Sequence, residues 1–445
     1  MPRNHTDTAP LRFTGYTQTG DPQPDEILTR VGPGTPCGEY LRRYWHPIAL
    51  EEDIGELPSL ITVLGEELVL FRDGSGQVGL VHKNCPHRRA SLEFGKCEDR
   101  GIRCCYHGWL FDVDGSILDI PSEPPGLALV DRVQRSVRLG AYPTHVFRGL
   151  VFAYLGPPEL IPEFPHYDAY DIPDMVMTPY KAPFNCNWLQ VLDAIVDPAH
   201  TAFLHHDQFT DGFGVLGEME FYAREGQRYL GSATRRVGDN AWIRVNELIL
   251  PNFTQSGAAF STDGTKTKFF GRSAFTRWVT PLDDERCTAF AWGNFGERGD
   301  PIEYNTKEGM ECIEQGVPIE REYAEAQRNP GDVEAVEGMG AITDHSRENL
   351  LTSDRGITLY RKRLRELCAA LENGQEPPQP NDLGAGVINT HGSDTVLRCP
   401  ASDDDGASLR ALNDRVMEII FSGDDLIARE RDEQIISRLS ELNNH

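Results

Sequence analysis

Two short runs that combine a cysteine with a histidine constrain this chain more than any other feature. The run CPHRR has one residue between Cys85 and His87, and the run CCYHGW has two residues between Cys104 and His107. Sixteen residues separate the two pairs. Because thiolate and imidazole groups are common ligands of iron and zinc, this spacing predicts a metal clamp made of two loops.

Two kinds of metal centre would use this ligand set. A Rieske [2Fe-2S] cluster takes two thiolates on one iron and two imidazoles on the other, so each run would contribute one ligand of each kind. A zinc site with two cysteines and two histidines uses the same side chains, but zinc fingers usually pair cysteine with cysteine and histidine with histidine. The spacing therefore favours the iron–sulfur cluster and leaves zinc as the alternative.

A second group of candidate ligands lies in the run NWLQVLDAIVDPAHTAFLHH, which contains Asp197, His200 and His205. Two histidines and a carboxylate are the usual ligands of a mononuclear iron that activates O₂. On an undistorted helix the two histidines would project about 140° apart, so the helix must bulge or end between them. Pro198 indicates either a kink or a fresh turn capped by Asp197. The ordinary alternative is an amphipathic helix with solvated polar residues.

The hydrophobic pattern predicts an α+β protein. From Ile61 the sequence reads as short strands separated by turns, with a second hairpin across Asp114 and Gly115. The runs YLGSATRR, AWIRVNELIL and CTAFAWGNF also indicate strands. Helices are predicted from Asn187 to His206 and from Ala411 to Asn443, whereas GQEPPQPNDLGAGVINTHGSD reads as an exposed loop. At 445 residues, two domains are expected rather than one.

The charge balance excludes some partners. The chain has 43 Lys and Arg against 69 Asp and Glu, a net charge of -26, which disfavours nucleic acid and anionic membranes. No stretch is apolar for the length needed to cross a bilayer, and the first residues, MPRNHTDTAPLRF, lack the apolar centre of a secretory signal. We expect a cytoplasmic protein, whose ten cysteines are too sparse for a disulfide scaffold.

Both ligand groups, in this order, resemble the large (alpha) subunits of Rieske non-haem iron aromatic oxygenases. The resemblance implies an N-terminal arm or surface layer (1–44), an antiparallel-β Rieske [2Fe-2S] domain (45–160), and a helix-grip-like catalytic domain with an antiparallel sheet and helices (161–445). Cys85 and Cys104 would bind one iron of the cluster, and His87 and His107 the other. Arg89 stands where the family commonly has Gly.

The resemblance also implies roles for residues near the two cluster loops. Tyr106 and Trp109 would pack around these loops, whereas Cys97 and Cys105 are expected to be free buried thiols.

The resemblance extends to the mononuclear site. His200 and His205 would bind Fe(II), and the third ligand would be Asp332, because the family has an Asp followed five residues later by a Glu, here Glu337. Asp344 and Asp354 are the alternatives. Asp197 would bridge His200 of its own subunit and the partner subunit's His107 in a trimer or a multiple of trimers. Asp193, one helical turn earlier, is expected to support this bridge.

The wider resemblance is to the phthalate dioxygenase-like branch, on the runs VGPGTPCGEYLRRYWHPIAL and ITDHSRENLLTSDRGITLYRKRL. It implies O₂ as co-substrate and an aromatic substrate, carboxylated or methoxylated and lignin-derived, oxidised by ring hydroxylation or O-demethylation. No Gly-x-Gly-x-x-Gly run is predicted to lead from a strand into a helix, so NADH or NADPH and flavin would act through a separate reductase, with or without a ferredoxin. A Rieske electron-transfer protein and a zinc-stabilised binding protein are the rival interpretations.

Overall fold

The structure is a computed structural model that describes residues 13–124, 126–206, 214–225, 227–257, 269–306, 322–383 and 386–443. Of the helices within these ranges, none combines the length and the apolar character that a membrane span requires.

The first part of the chain is built from short antiparallel strands. They are β1 (Trp45–Leu50), β2 (Ser59–Val63), β3 (Glu66–Arg72), β4 (Val78–His82), β5 (Lys96–Cys97), β6 (Ile102–Arg103), β7 (Leu110–Phe111), β8 (Ile117–Asp119), β9 (Ala141–Tyr142), β10 (Thr144–Phe147) and β11 (Leu150–Tyr154). They form three sheets, with strand orders β1-β11-β10, β2-β3-β4-β9 and β5-β6-β7-β8. Both predicted hairpins are present, as β2–β4 and as β7–β8.

The second part is organised around one eight-stranded antiparallel sheet. Its strands are β12 (Val176–Phe184), β13 (Glu218–Arg224), β14 (Arg228–Val237), β15 (Asn240–Ile249), β16 (Phe253–Gly257), β17 (Phe270–Pro281), β18 (Cys287–Phe295) and β19 (Ser393–Arg398). The order is β12-β18-β17-β16-β15-β14-β13, and β19 pairs with β15 and β17. The three runs predicted as strands are β14, β15 and β18.

The helices pack against the small sheets and the large one. They are α1 (Glu26–Thr29), α2 (Pro36–Leu41), α3 (Ala128–Ser136), α4 (Trp188–Val196), α5 (Thr201–Leu204), α6 (Tyr323–Arg328), α7 (Asp332–Glu337), α8 (Arg355–Glu372), α9 (Asp405–Phe421) and α10 (Ala428–Asn443). Short 3-10 turns lie between these helices and strands, at Gly15–Gln18, Glu51–Asp53, Leu92–Phe94, Pro158–Leu160, Asp168–Asp171, Ile302–Tyr304, His345–Arg347, Thr352–Asp354 and Pro380–Leu383.

Two local predictions were wrong. The expected C-terminal helix is two helices, because the chain turns after Phe421 so that both can pack against one apolar cluster. The predicted exposed loop is buried at its end, at Thr390 and His391. Their backbone N–H groups donate to the carboxylates of Asp168 and Glu247, so the loop's polar backbone is satisfied inside the protein.

The small sheets are attached firmly to the large one. The N–H groups of Leu64 and Gly65, in the turn between β2 and β3, donate to the carbonyls of Pro281 and Leu282 at 3.0 and 2.7 Å. A single buried apolar cluster also contains residues of β3 and β4, of α4 and α8 and of β17. This common core joins the small sheets to the α4 region, while the two cysteine–histidine loops pack in a separate apolar cluster with β3 and β4.

Candidate metal centres

The two cysteine–histidine loops are closed in the same way. In the first loop the N–H of Cys85 donates to the carbonyl of Ala90 at 2.9 Å, and in the second the N–H of Cys104 donates to the carbonyl of Trp109 at 2.8 Å. In both loops the N–H of the residue four places after the cysteine, Arg89 or Gly108, donates to the carbonyl of that cysteine. The loops are therefore near copies of one another, and each presents one thiol and one imidazole.

The residue that closes each loop has a left-handed backbone conformation. Arg89 has φ 64° and Gly108 has φ 75° at equivalent positions. Glycine adopts this conformation freely, whereas a residue with a side chain is strained in it. The side-chain amide of Asn84 donates to the carbonyl of Arg89 at 3.0 Å. This hydrogen bond helps to hold Arg89 where the family commonly has glycine.

The four predicted cluster ligands lie together. The ring centroids of His87 and His107 are 4.6 Å apart, and Trp109 stacks on His87 at 4.7 Å with only 5° between the planes. Cys85 and Cys104 are both buried. Burial, with a smaller contribution from the neighbouring Cys104, raises the pKa of Cys85 to about 11. Two adjacent thiols and two adjacent imidazoles fit a Rieske cluster, whose positive irons would hold the sulfurs as thiolates.

The remaining residues of these loops differ from one another in exposure. Trp109 is packed as expected, but Tyr106 is 55% exposed, with its ring 3.9 Å from that of His107. Cys105 was expected to be a buried thiol and is exposed, because its side chain lies on the outer side of the loop that Cys104 turns inward; Cys97 is half-buried. A tyrosine and a cysteine next to a ligand are thus left on the surface.

The second ligand group lies where a helix ends. Helix α4 stops at Val196, and Asp197 is extended. Its carboxylate accepts the backbone N–H groups of Ala199 at 2.7 Å and of His200 at 3.1 Å, before α5 begins. Of the two arrangements that Pro198 allowed, the structure has the fresh turn capped by Asp197. The angular problem is resolved further along, because α5 ends at Leu204 and His205 leaves helical geometry, with φ -110° and ψ 15°.

The two histidines converge on Asp332, the first residue of α7. The Oδ1 atom of Asp332 lies 3.3 Å from Nε2 of His205 and 3.9 Å from Nε2 of His200. One candidate ligand atom from each residue lies within 4.8 Å of the others. Desolvation raises the pKa of Asp332, but the hydrogen bond of His205 and the charges of both histidines and Arg277 outweigh it and keep the pKa below its ordinary value. Two imidazoles and an ionised carboxylate on one side fit a mononuclear iron with open positions.

The side chain of Asp197 lies on the other side of His200. Its Oδ2 atom is 3.4 Å from Nδ1 of His200. Burial raises the pKa of Asp197, but the hydrogen bond and charge of His200 and the two backbone N–H groups lower it below its ordinary value. An anionic oxygen beside Nδ1 favours the tautomer that leaves Nε2 free to bind a metal.

The alternative carboxylates are engaged elsewhere. Asp344 accepts the backbone N–H of Gln23 at 3.0 Å and the hydroxyl of Ser346 at 2.6 Å. Asp354 accepts the N–H of Leu351 at 2.7 Å. Within the described ranges, Asp332 is the carboxylate that groups with His200 and His205.

Asp193 lies near the site but faces away from it. Its carboxylate accepts hydrogen bonds from the hydroxyl of Tyr360 and the guanidinium of Arg361, both on α8. Its backbone carbonyl accepts the N–H of Asp197 at 3.1 Å. The expected support of the bridge is therefore indirect, through the anchoring of α4 to α8.

Comparison with known proteins identifies the family. The sequence model of the Rieske [2Fe-2S] domain matches residues 44–143. The chain is 38% identical to the tert-butanol monooxygenase / tert-amyl alcohol desaturase oxygenase subunit of Aquincola tertiaricarbonis, over 97% of this chain and 96% of that one. The chain belongs to the Rieske non-haem iron oxygenases, as an alpha subunit.

Other members support the assignment of this Rieske oxygenase. It is 36% identical to the phenoxybenzoate dioxygenase subunit alpha of Ectopseudomonas oleovorans, over 80% of this chain and 87% of the relative. A crystal structure of dicamba monooxygenase bound to 3,6-dichlorosalicylic acid shares its fold, with a TM-score of 0.57 and 19% identity over 76% of this chain and all of that one. The predicted fold class and enzyme class are confirmed.

Charged side chains inside the catalytic sheet of this Rieske oxygenase were missed by sequence reasoning. Arg235 on β14 and Arg277 on β17 are both buried. Each interrupts a run of strand-forming residues, which is the signal that could have found them. Which side of the sheet they face depends on pairing between strands that are distant in sequence.

Proposed function

We propose that this oxygenase binds a mononuclear iron and a Rieske cluster in one chain and oxidises an aromatic acid. The observation that carries the proposal is the convergence of His200, His205 and Asp332. These three would hold the iron, and the cluster would be held by Cys85, Cys104, His87 and His107. When bound, the two centres supply electron transfer and O₂ activation. The protein's part is to fix the ligands, bind the substrate and position a proton.

Asp197 is the proposed catalytic residue that joins the two centres. Its carboxylate is fixed by two backbone N–H groups and lies 3.4 Å from Nδ1 of His200. The side chain is 19% exposed, so it can also accept a hydrogen bond from outside the chain. We assign that second donor to the partner subunit's His107, in a homotrimer or a multiple of trimers. A carboxylate between two imidazoles couples their protonation, because it accepts from both.

The electrons would come from another protein. Within the described residues, no Gly-x-Gly-x-x-Gly run leads from a strand into a helix, which is the usual form of a dinucleotide site. A separate reductase carrying flavin and using NADH or NADPH, with or without a ferredoxin, would supply them.

A buried arginine on the sheet provides the anchor for an acidic substrate. The side-chain amide of Asn246 donates to the carbonyl of Ile195 at 3.4 Å, so this face of β15 is turned towards α4. Side chains alternate along a strand, which places Leu248 on the same face. Leu248 pairs with Thr254, and Thr254 pairs with Arg277. Arg277 therefore projects from the face that α4 covers.

Arg277 also lies close to the proposed iron ligands. Its charge helps to lower the pKa of Asp332, and its guanidinium is 4.0 Å from the ring centroid of Phe275. A guanidinium held beside an aromatic ring can bind a carboxylate through two parallel hydrogen bonds while the ring contacts the substrate's apolar part. An aromatic carboxylate bound there would lie beside Asp332 and so beside the iron.

Two reactions would consume such a substrate. A methoxy group would be oxidised by O₂ with two electrons and two protons, giving a phenol, formaldehyde and water. Ring hydroxylation by the same reagents would leave both oxygen atoms on the ring as a cis-diol. Release of formaldehyde therefore separates the two outcomes.

A second candidate function is the oxidation of a small branched alcohol. It is favoured by the extent of one similarity, since the tert-butanol monooxygenase relative covers 97% of this chain whereas the phenoxybenzoate dioxygenase relative covers 80%. A neutral alcohol would make no use of the charge of Arg277.

The first test is chemical analysis of protein purified without air. We expect about three irons and two acid-labile sulfides per chain, with the absorbance of a Rieske cluster. Zinc without sulfide would contradict the proposal and support a binding protein instead. Cluster without mononuclear iron would indicate an electron carrier.

The second test is a substrate screen with a surrogate flavin reductase and NADH. Methoxylated and unsubstituted aromatic acids, their methyl esters, and tert-butanol would be compared by O₂ uptake and product analysis. We expect the acids to be turned over with little peroxide and the esters poorly. Turnover of tert-butanol alone would replace the aromatic proposal with the second one.

A further inference from the structure

A buried arginine is bonded to the turn that carries the proposed iron ligands. Arg235, on β14, is 1% exposed. Its Nη2 atom donates to the hydroxyl of Thr201 at 2.7 Å and to the carbonyl of Pro198 at 3.2 Å. The hydroxyl of Thr201 in turn donates to the same carbonyl at 3.0 Å. The guanidinium, the hydroxyl and the carbonyl form one closed hydrogen-bonded set.

These hydrogen bonds hold both ends of the turn that follows Asp197 and contains His200. Pro198 directly follows Asp197, and Thr201 directly follows His200. Fixing both ends of the turn from the sheet side limits its rotation, and with it the directions of the Asp197 and His200 side chains. The carboxylate of Asp197 fixes the same turn from within, through the N–H of His200.

The other contacts of Arg235 tie it to neighbouring elements. Its Nε atom donates to the carbonyl of Val215 at 2.9 Å. The guanidinium also lies 5.5 Å from the ring centroid of Trp242, whose indole N–H donates to Asp394 at 2.6 Å. Burial lowers the pKa of Arg235 to about 10, so the group is still cationic at neutral pH. Burying a cation is costly, and an apolar side chain of similar size would fill this space at lower cost.

We propose that Arg235 is a positioning residue, which acts through Thr201 and Pro198 to set the turn that presents Asp197 and His200. The inference rests on the proposed iron site. It predicts that loss of Arg235 loosens the geometry of the mononuclear centre while the cluster loops are unaffected, because those loops are closed by their own hydrogen bonds.

The experiment compares Arg235→Met with Arg236→Met. Arg236 is the next residue of the same strand, and its guanidinium pairs with Asp405 and the carbonyl of Cys399 instead. The mononuclear iron would be removed from each full-length protein with a chelator and Fe(II) titrated back. We expect about tenfold weaker Fe(II) binding in Arg235→Met, in line with changes around metal ligands. Arg236→Met should bind like the wild type.

A spectroscopic measurement gives a readout that does not depend on turnover. Nitric oxide bound to the Fe(II) protein would be followed by electron paramagnetic resonance. A loosened turn should broaden or split the signal in Arg235→Met and leave it unchanged in Arg236→Met. Wild-type affinity together with a wild-type signal in Arg235→Met would overturn the proposal.

Variants of Thr201 keep the test decisive if Arg235→Met does not fold. Thr201→Val removes the hydroxyl with little change in volume, and Thr201→Ser restores it. Thr201→Val should weaken Fe(II) binding by several-fold, and Thr201→Ser should bind like the wild type. If Arg235→Met does fold, the double variant with Thr201→Val should lose no more affinity than Arg235→Met alone. Equal binding by Thr201→Val and wild type would refute the proposed relay. If the wild type itself bound no Fe(II), the proposed function would fail first.

Discussion

The Nδ1 atom of His200 lies 3.4 Å from the Oδ2 atom of Asp197, while the Nε2 atom of the same ring faces Asp332. The imidazole thus stands between two carboxylates that have different environments. One is fixed by backbone N–H groups at the start of a turn, and the other belongs to a distant helix. This arrangement orients the ring before any metal binds.

Asp197→Asn should separate metal binding from catalysis. The amide can still cap the turn, but it removes the anionic acceptor beside His200, so iron and sulfide contents should match the wild type while turnover falls about 100-fold. Asp171→Asn is the matched control, because Asp171 also pairs with a histidine, His166, at 2.6 Å but on the surface. Full activity of Asp197→Asn would refute the bridging role.

Asp332→Ala should remove the mononuclear iron alone. Two imidazoles without the carboxylate bind Fe(II) weakly, so iron should fall from about three to about two per chain, with the visible spectrum unchanged. The variants Asp344→Ala and Asp354→Ala should retain all three irons per chain. Loss of iron in either of those variants, with retention in Asp332→Ala, would transfer the third ligand to that residue.

Arg277→Met should change substrate preference rather than chemistry. Without the guanidinium, KM for an aromatic carboxylate should rise about 10- to 100-fold, because a charge-assisted bidentate contact is lost. KM for the methyl ester of the same acid, and the iron content, should be unchanged. An equal loss for acid and ester would indicate a structural role for Arg277.

We expect substitution of the left-handed residue to have opposite effects on the stability of the two cluster loops. Gly108→Ala places a Cβ atom 2.8 Å from Cγ of Pro121 at φ 75°, so it should lower the temperature at which the cluster's absorbance is lost. Arg89→Gly removes backbone strain and should stabilise the first loop by about 1 kcal/mol. A destabilised Arg89→Gly would show that the arginine side chain contributes more than its strain costs.

His46 should make the protein sensitive to mild acid. Burial lowers the pKa of His46 from 6.5 to about 4, although its hydrogen bond to the carbonyl of Leu41 acts in the opposite direction. The ring is therefore neutral, and it also accepts a hydrogen bond from the amide of Asn252. The unfolded chain therefore binds more protons than the folded one between these values, and stability falls as the pH drops through that window, by up to about 3 kcal/mol.

The check on His46 is urea unfolding at pH 7 and pH 5 for the wild type and for His46→Gln. Glutamine can make both hydrogen bonds and does not titrate. The loss of stability between the two pH values should be smaller in the variant by about 2 kcal/mol. Parallel losses in both proteins would contradict the assignment.

Local sequence signals were sufficient for much of the fold and for parts of both centres. The strands β14, β15 and β18 follow from their own runs, and the cluster loops follow from ligands only a few residues apart. The end of a helix between His200 and His205 was required by their spacing, and Pro198 indicated the turn after Asp197. Asp332 came from the family resemblance, and its place beside the histidines and the limits of the domains could not be derived from local spacing.

Features that depend on pairing between distant segments were not predictable. Arg277 reaches the site side of the sheet only because of the register between β15, β16 and β17. Thr390 and His391 are buried because carboxylates from elsewhere in the chain accept their N–H groups. No pattern within either segment contains that information.

The positions of His200, His205 and Asp332 along the chain also set the order in which the ribosome makes these three candidate ligands. The two histidines lie on one turn, but Asp332 follows all of the strands from β13 to β18. An emerging chain therefore offers two of the three groups long before the last one, and two imidazoles alone hold Fe(II) weakly. Iron would be captured only once the strands from β13 to β18 have formed and α7 has docked. Occupancy of the site would then report finished folding, and the growing chain would be spared a bound, reactive metal.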